Sequence, residues 1–361
     1  MNWFRDTILS REFWHGRQNN HERLIAPLTV AVVIPAWNEE ESIERTIRSV
    51  QAQDQQCRII VIDDCSTDRT NEIASACGVE VLQAAYNQGS KARAINLAIP
   101  RIDEDLMVVV DADTTLRTNS LRKLMHAFSD NKVAVACGMV HSRNHKTLWE
   151  KSRYAEYLCT QYIVKRAQGN ARMVLVASGC FSAFRTEWLK GAGGFPERTM
   201  AEDMDLTWSA IIDGYRVALV MNAHCTVTDP QDWKTYKGQL LRWYRGFMQC
   251  LRVRKFWMGW NRLTFTAYLY LFASLVGGNM FLWFLASGLP GSMLGYFSAF
   301  MVIPFGVVAW HSRKAGKSIW TIVSSFIAML IVLPINLVLL MQSVYLEFIK
   351  GDTLNVWEKG H

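Results

Sequence analysis

The stretch "VVVDADTTL" places Asp111 and Asp113 on either side of a small alanine at the end of an apolar run. If that run is a strand, its period of two turns both carboxylates to one side. Carboxylates so placed repel each other, and a divalent cation relieves the repulsion; Mg2+ or Mn2+ takes such oxygen ligands together with phosphate oxygens. Taken alone, the pair also suits a solvated acidic loop. Three further groups extend the chemistry. "IDDCSTD" sets Asp63 and Asp64 after another apolar run, as acceptors for a base edge or ribose hydroxyls, or as loop and cap residues beside Thr67 and Asp68. "NQGSKARAIN" brings Lys91 and Arg93 after a glycine turn; Lys91 is the cation to meet a nucleotide, and Arg93 reads as an exposed helix residue. "MAEDMDLTW" supplies Glu202, Asp203 and Asp205, where a carboxylate opposite a diphosphate can take a proton from an attacking hydroxyl, or where acids complement a helix dipole.

The fifth group is "QLLRW". Gln239, Arg242 and Trp243 stand at i, i+3 and i+4 and share one helix face. Arginine suits bidentate phosphate contact, tryptophan offers a planar platform for a sugar ring, and glutamine can fix a hydroxyl. Without the acids upstream, the same stretch reads as an interfacial amphipathic helix.

These groups need a frame. "LTVAVVIPAWNEEESIERTIRSV" passes from a continuous apolar run to helical period, with Asn38 opening the expected helix, and "CRIIVIDDCSTDRTNEIASACG" repeats the pattern. "VEVLQAA" and "DLMVVV" are further strands. Alternation of strand and helix over the first 130 residues implies a doubly wound α/β sheet whose ligands bind at the carboxyl ends of the strands, where "PAWNE", "DDCSTD" and "DAD" fall. No G-x-G-x-x-G follows the first strand, which argues against a dinucleotide oxidoreductase. Glycines in "SGCFSAFR" and "GAGGF" allow close backbone approach to a ligand.

The remainder of the 361 residues is of another kind. From Leu263 to Trp310 there is no Asp, Glu, Lys, Arg or His. That exceeds one membrane span of roughly 20 residues. "SGLPGS" breaks it, giving expected spans at 264–286 and 292–310, and a third apolar run covers 319–340. The net charge of +7 is concentrated at the flanks, at Arg245, Arg252, Arg254, Lys255 and Arg262, then at Arg313, Lys314 and Lys317. Basic flanks mark the cytoplasmic side, so the first 262 residues are expected inside, with span one leaving, span two returning and span three leaving. Charge beside apolar spans favours anionic lipid headgroups over nucleic acid. Eight cysteines without a C-x-x-C pair indicate reduced, cytosolic usage with no zinc site. Trp3, Phe4, Ile8, Leu9, Phe13 and Trp14 make an amphipathic segment that lies on the bilayer or packs on the soluble domain.

In their order and spacing, "VVIPAWNEE", Asp63–Asp64, "SKARAIN", "DAD", "AED" and "QLLRW" resemble the glycosyltransferase family 2 enzymes, and among them the processive membrane synthases that make poly-N-acetylglucosamine, hyaluronan and cellulose. The resemblance covers residues 28–260 in motif detail. It implies a GT-A-type domain, Rossmann-like, followed by an α-helical transmembrane region, with a UDP-sugar donor, a polysaccharide acceptor and Mn2+ or Mg2+ as cofactor. It implies that Ala36, Asn38, Glu39, Asp64, Lys91 and Asp111 bind the nucleotide, that Asp113 with Asp111 holds the metal, and that Asp203 is the catalytic base. Glu202, Gln239, Arg242 and Trp243 would meet acceptor and diphosphate. The transfer would invert the anomeric carbon. The expected organisation is 1–26 interfacial segment, 27–230 cytosolic catalytic domain, 231–262 interfacial helices, 263–346 three spans and 347–361 tail. Ceramide glucosyltransferase-like proteins share the motif order, so single transfer to a lipid acceptor is the alternative. Three spans form a polymer pore only if protomers assemble or the amphipathic N-terminus contributes.

Overall fold

The computed structural model describes residues 28–255, 259, 261–286 and 291–351, with backbone alone over 276–286 and 291–300. The expected N-terminal amphipathic segment, most of the "SGLPGS" turn and the tail beyond Gly351 lie outside the described residues.

Eight strands form one sheet in the order β3-β2-β1-β4-β7-β6-β8-β5. They are β1 (Val30–Ala36), β2 (Arg58–Asp63), β3 (Glu80–Gln83), β4 (Leu106–Val110), β5 (Thr115–Leu116), β6 (Val133–Ser142), β7 (Phe181–Arg185) and β8 (Arg216–Val227). The helices are α1 (Ile43–Gln51), α2 (Thr70–Ala76), α3 (Lys91–Ala98), α4 (Ser120–Met125), α5 (Leu148–Cys159), α6 (Arg166–Asn170), α7 (Thr186–Gly191), α8 (Glu202–Ile212), α9 (Trp233–Val253), α10 (Arg262–Ala286), α11 (Gly291–Lys314) and α12 (Ile319–Val344).

The apolar runs of β1, β2 and β4 are buried on both faces, and alternate residues feed two cores. Val30, Val32 and Ile34 pack with Ile43 and Ile47 of α1 on one side. Ala31 and Val33 pack with Ala94 and Ile95 of α3 on the other. Full burial of each such valine or isoleucine contributes about 1.5–3 kcal/mol, which fixes the register. β1 pairs in parallel with β2, Ala36 opposite Asp63, and with β4, Val33 opposite Val109. The chain order reverses between β1 and β4, and ligands bind outside the carboxyl ends of strands at such a switch point. The residues following β1, β2 and β4 therefore converge there: Ala36–Glu39, Asp64 and Asp111–Asp113.

The sheet is not parallel throughout. β7 runs antiparallel between β4 and β6, and β5 antiparallel to β8 at the edge. This mixed α/β sheet is GT-A-like. The first helix starts at Ile43, not at Asn38; Asn38 adopts the left-handed conformation, φ 55°, within the loop. A helical strap between β6 and β7, from α5 through a π-helical turn Thr160–Lys165 to α6, carries no motif and has no counterpart in the sequence reading. Thr147 and Glu150 start it with a capping box.

The three apolar runs are helical. Ile319–Lys350 is long and apolar enough to cross a membrane. It does not stand away from the catalytic domain: its first half packs on Tyr154 and Leu158 of α5, and its second half on Tyr236 and Leu240 of α9.

Candidate active site

A cavity of 620 Å3 opens at the carboxyl ends of the strands and runs beneath α9 to α10 and α12. Ala36, Glu39, Asp64, Lys91, Asp111, Asp113, Glu202, Asp203, Gln239, Arg242 and Trp243 all line it. Of the expected site residues, Asn38 alone does not. Its Oδ1 accepts the Thr67 amide at 2.8 Å and its own amide donates to Ser66 Oγ at 3.0 Å, so it braces two loops against each other.

Lys91 is set by α3, whose N-cap Ser90 accepts the Arg93 amide. Its ammonium pairs with Asp111 and donates to the Gly179 carbonyl at 3.1 Å. Burial opposes the charge, but Asp111, Glu202 and Asp203 together push the Lys91 pKa up, so it stays an ammonium. Among the described residues no cation is bonded to Asp113: burial, then Asp111 and Glu39, push its carboxyl up to about 7, against a hydrogen bond from Thr114 and the charge of Lys91. A carboxylate held in this excess of negative charge fits a hard divalent cation. Among the described residues no three His, Cys, Asp or Glu side chains converge as a complete ligand set. Donor phosphates and water would have to complete the shell, as Mg2+ sites commonly require.

Asp64 sits at the end of β2, accepts the Gln88 amide at 2.7 Å and is raised above the usual carboxylate range, chiefly by burial. Its neighbour Asp63 is a loop organiser, accepting from the Ser66 amide and Asn71 Nδ2. Asp68 likewise accepts from the Thr70 amide and hydroxyl.

At the start of α8, Asp203 accepts the Gly179 amide on Oδ2 at 2.8 Å and the Met204 amide on Oδ1 at 2.7 Å. Both oxygens are oriented before any substrate enters. Glu202 beside it is pushed up to about 7, first by burial and by Asp203, with Lys91 and Arg242 opposing. Asp205 does not join them: it is fully buried and clamped between Arg198 and Arg254, each at 2.7 Å. Arg93 pairs with Glu197 at the surface.

α9 begins at Asp232, whose side chain accepts the Thr235 amide. It lays Gln239, Arg242 and Trp243 along the cavity as the spacing required. The residue that organises this face is Arg153 on α5. It donates to Gln239 Oε1 at 3.0 Å, pairs with Glu156 at 2.9 Å, and its guanidinium lies 4.5 Å from the Trp243 ring centroid and 4.7 Å from that of Tyr236. Glu156 in turn accepts from Ser152, Tyr236 and Asn336 of α12. One face of the Trp243 platform is thus covered by a cation before ligand arrives. The arrangement brings a cation-hungry carboxylate pair, an oriented base and a guanidinium–indole platform to one cavity, the parts needed to move a group from a diphosphate to a hydroxyl.

A family model described as "Glycosyltransferase like family 2" matches residues 26–246. The poly-β-1,6-N-acetyl-D-glucosamine synthase of Staphylococcus aureus (strain COL) is 26% identical over 253 residues, and that of Staphylococcus epidermidis 25% over 252; each match covers 68% of this chain and 61% of the relative's length. The chain thus spans less than two thirds of those relatives. Among solved structures, the mannosyltransferase PcManGT from Pyrobaculum calidifontis, in complex with GDP-Man and Mn2+, superposes with TM-score 0.60 at 19% identity, over 88% of this chain and 93% of that one. S. aureus TarS 1–349 in complex with UDP gives TM-score 0.50 at 17% identity, over 84% and 90%.

Proposed function

The chain belongs to glycosyltransferase-like family 2, and from that premise we propose that it is a membrane-embedded inverting glycosyltransferase, taking its sugar from UDP-N-acetylglucosamine and adding it to a growing polysaccharide. The observation that carries the reading is the position of Asp203, oriented by two backbone amides on the wall that also holds Asp64, Asp113 and Trp243.

The acceptor sugar rests on Trp243 with a hydroxyl at Asp203. Asp203 takes the hydroxyl proton, the oxygen attacks the anomeric carbon from the face opposite the diphosphate, and the bond from that carbon to the diphosphate oxygen breaks. Configuration inverts in the single displacement. Arg242 and Lys91 are the chain's cations beside the departing diphosphate. Asp113 with Asp111 would hold Mn2+ or Mg2+, which when bound offsets charge on the leaving group. Asp64 and Glu39 meet the nucleoside side of the donor.

The N-acetylglucosamine donor is favoured by the named activity of the curated relatives. A second reading, transfer of a single sugar to a lipid, is favoured by the cavity's extension to Leu271, Met329, Leu333 and Leu340 on α10 and α12. Nucleotide release from a panel of UDP- and GDP-sugars, with product sizing, tests both. Polymer ladders from UDP-N-acetylglucosamine support the first reading and a single-sugar lipid the second; no release from any donor overturns the assignment.

A further inference from the structure

The π-helical turn Thr160–Lys165 interrupts the helical strap on the cavity wall. Such turns are rare and cluster at functional sites. Here Thr160, Gln161, Val164 and Lys165 line the cavity, together with Gln168 of α6. Lys165 is only 6% exposed. Its ammonium donates to Ser178 Oγ at 2.6 Å, a neutral partner, and no acidic side chain pairs with it among the described residues. The other buried cations of the site are compensated, Lys91 by Asp111 and Arg153 by Glu156. Gln161, 4% exposed on the same wall, has an Oε1 with no hydrogen-bond partner among the described residues. A buried ammonium without a counter-charge and an amide oxygen without a donor are both costly unless a ligand completes them.

Two connections locate this patch along the reaction path. Ser178 precedes Gly179, whose amide orients Asp203, so a group held by Lys165 lies beside the hydroxyl presented to the base. The neighbouring Cys159 and Tyr162 pack with Phe326 and Met329 of α12, so the patch reaches from the apolar helices to the Ser178–Cys180 loop, whose Gly179 and Cys180 carbonyls accept from Lys91 and from the Asp111 amide. We infer that Lys165 and Gln161 form a subsite for an anionic group, phosphate or carboxylate, carried by the acceptor close to its reacting sugar. Lys165 supplies the charge, and Gln161 accepts from a hydroxyl or N–H of the adjoining sugar. This rests on the transfer reading above and specifies its acceptor.

The test uses the full chain in detergent with UDP-N-acetylglucosamine and three acceptors: a neutral N-acetylglucosamine oligosaccharide, the same oligosaccharide bearing glucuronate, and N-acetylglucosaminyl farnesyl diphosphate. One anionic acceptor is expected to exceed the neutral one in kcat/KM by about tenfold or more, the scale of one charge-assisted hydrogen bond. A preference for the diphosphate identifies a lipid-linked acceptor, and a preference for glucuronate an acidic glycan. Lys165→Met is expected to erase the preference through KM, Lys165→Arg to restore part of it, and neither to change UDP affinity. Equal use of the three acceptors, or a preference that survives Lys165→Met, overturns the inference, as does a weakened UDP affinity, which would put Lys165 in the donor site.

Melting temperature guards against a merely structural role. Losing an uncompensated buried charge is expected to hold or raise the Tm of Lys165→Met without acceptor; a fall would mark the Ser178 contact as structural and overturn the inference. If no acceptor is elongated, farnesyl phosphate and glucuronate are tested as inhibitors of UDP release from donor alone. Release that neither inhibits leaves the transfer reading standing and removes the subsite; no release at all removes the transfer reading itself.

Discussion

Asp203, the proposed general base, is oriented before any substrate enters, because the Gly179 and Met204 amides fix both of its oxygens. Asp203→Asn keeps the shape and gives up proton abstraction. Its sugar-transfer kcat is expected to fall by about 10²–10⁴, with UDP affinity retained; titration of UDP and a transfer assay check this together. Arg153 works one step back, through Gln239 and Trp243. Arg153→Ala takes the guanidinium from half-buried Glu156, which keeps Ser152, Tyr236 and Asn336 as donors, and is expected to cost about 1–3 kcal/mol of stability. Arg153→Lys keeps the charge and loses the planar stacking, so its acceptor KM is expected to rise about tenfold with the fold intact. An unchanged acceptor KM in the lysine variant would remove Arg153 from the platform. Asp229, buried beside the Ser142 hydroxyl, is pushed up to about 7 by burial, with Ser142 and then Arg153 partly opposing. At Asp229 the folded chain keeps a proton that the unfolded chain has lost, so this group's contribution to stability is fully present below pH 4 and is lost as pH rises through 7. Asp229→Asn removes that slope, and its Tm is expected to overtake the wild type's between pH 5 and pH 8. The acids were legible because aspartate after an apolar run is a local pattern. Arg153, Glu156 and Lys165 were not: each draws its meaning from contacts on α9, α12 or the Ser178 loop, distant in sequence, and nothing in "LWEKSRYAEYLCTQYIVKR" marks a cavity wall.

At the level of elements, the site depends on how closely α9 approaches the start of α8. Gly246 permits it: a Cβ there would stand 2.6 Å from Ala201 Cβ and 2.9 Å from the Ala201 amide nitrogen. Ala201 is the N-cap of α8, one residue before Glu202. Gly246→Ala must therefore push the two helices apart at the base. The expected result is a loss of about 1–3 kcal/mol in stability and a kcat lowered about tenfold or more, since small misplacements of reacting groups are expensive; full activity would show that the contact does not set Asp203. The strands β1, β2 and β4 were readable as buried parallel strands from their continuous apolar runs. The antiparallel insertion of β7 was not, because "FSAFR" is short and its direction is decided by pairing with β4 and β6, not by its own composition. Helix α9 was readable from the i, i+3, i+4 spacing, whereas its closeness to α8 turned on a single glycine whose neighbour lies 45 residues away.

Over the whole molecule, the catalytic domain and the apolar helices share one cavity and several buried polar contacts. The sequence expects the third apolar run to leave the membrane on the far side. The packing of α12 sets a different constraint. Near its beginning, the end of α11 is tied to α5 by Tyr154 donating to Ser312 at 2.8 Å and to the π-helical turn by Tyr162 stacked on His311. At its middle Asn336 donates to Glu156 at 2.9 Å. Beyond its end Glu347 accepts from Arg245 at 2.8 Å and from Gln249 at 3.0 Å, both on α9. α9 carries Lys234, Lys237, Arg242, Arg245 and Arg252 and is far too charged to cross a bilayer. A helix anchored along its length to α5 and α9 shares their depth. Its outward stripe, Trp320, Ile327, Ile331, Val338, Met341 and Tyr345, is exposed and apolar, which suits contact with lipid whether the helix crosses or not, so the anchors decide the expectation. Both ends of α12 are then expected on the catalytic side. Single cysteines at Lys317 and Lys350, in a cysteine-free background in sealed vesicles, should both react with an impermeant maleimide applied to that side. Labelling of position 350 from the opposite side alone would mean that α12 crosses, and that the Glu347 contacts with α9 do not survive in the bilayer.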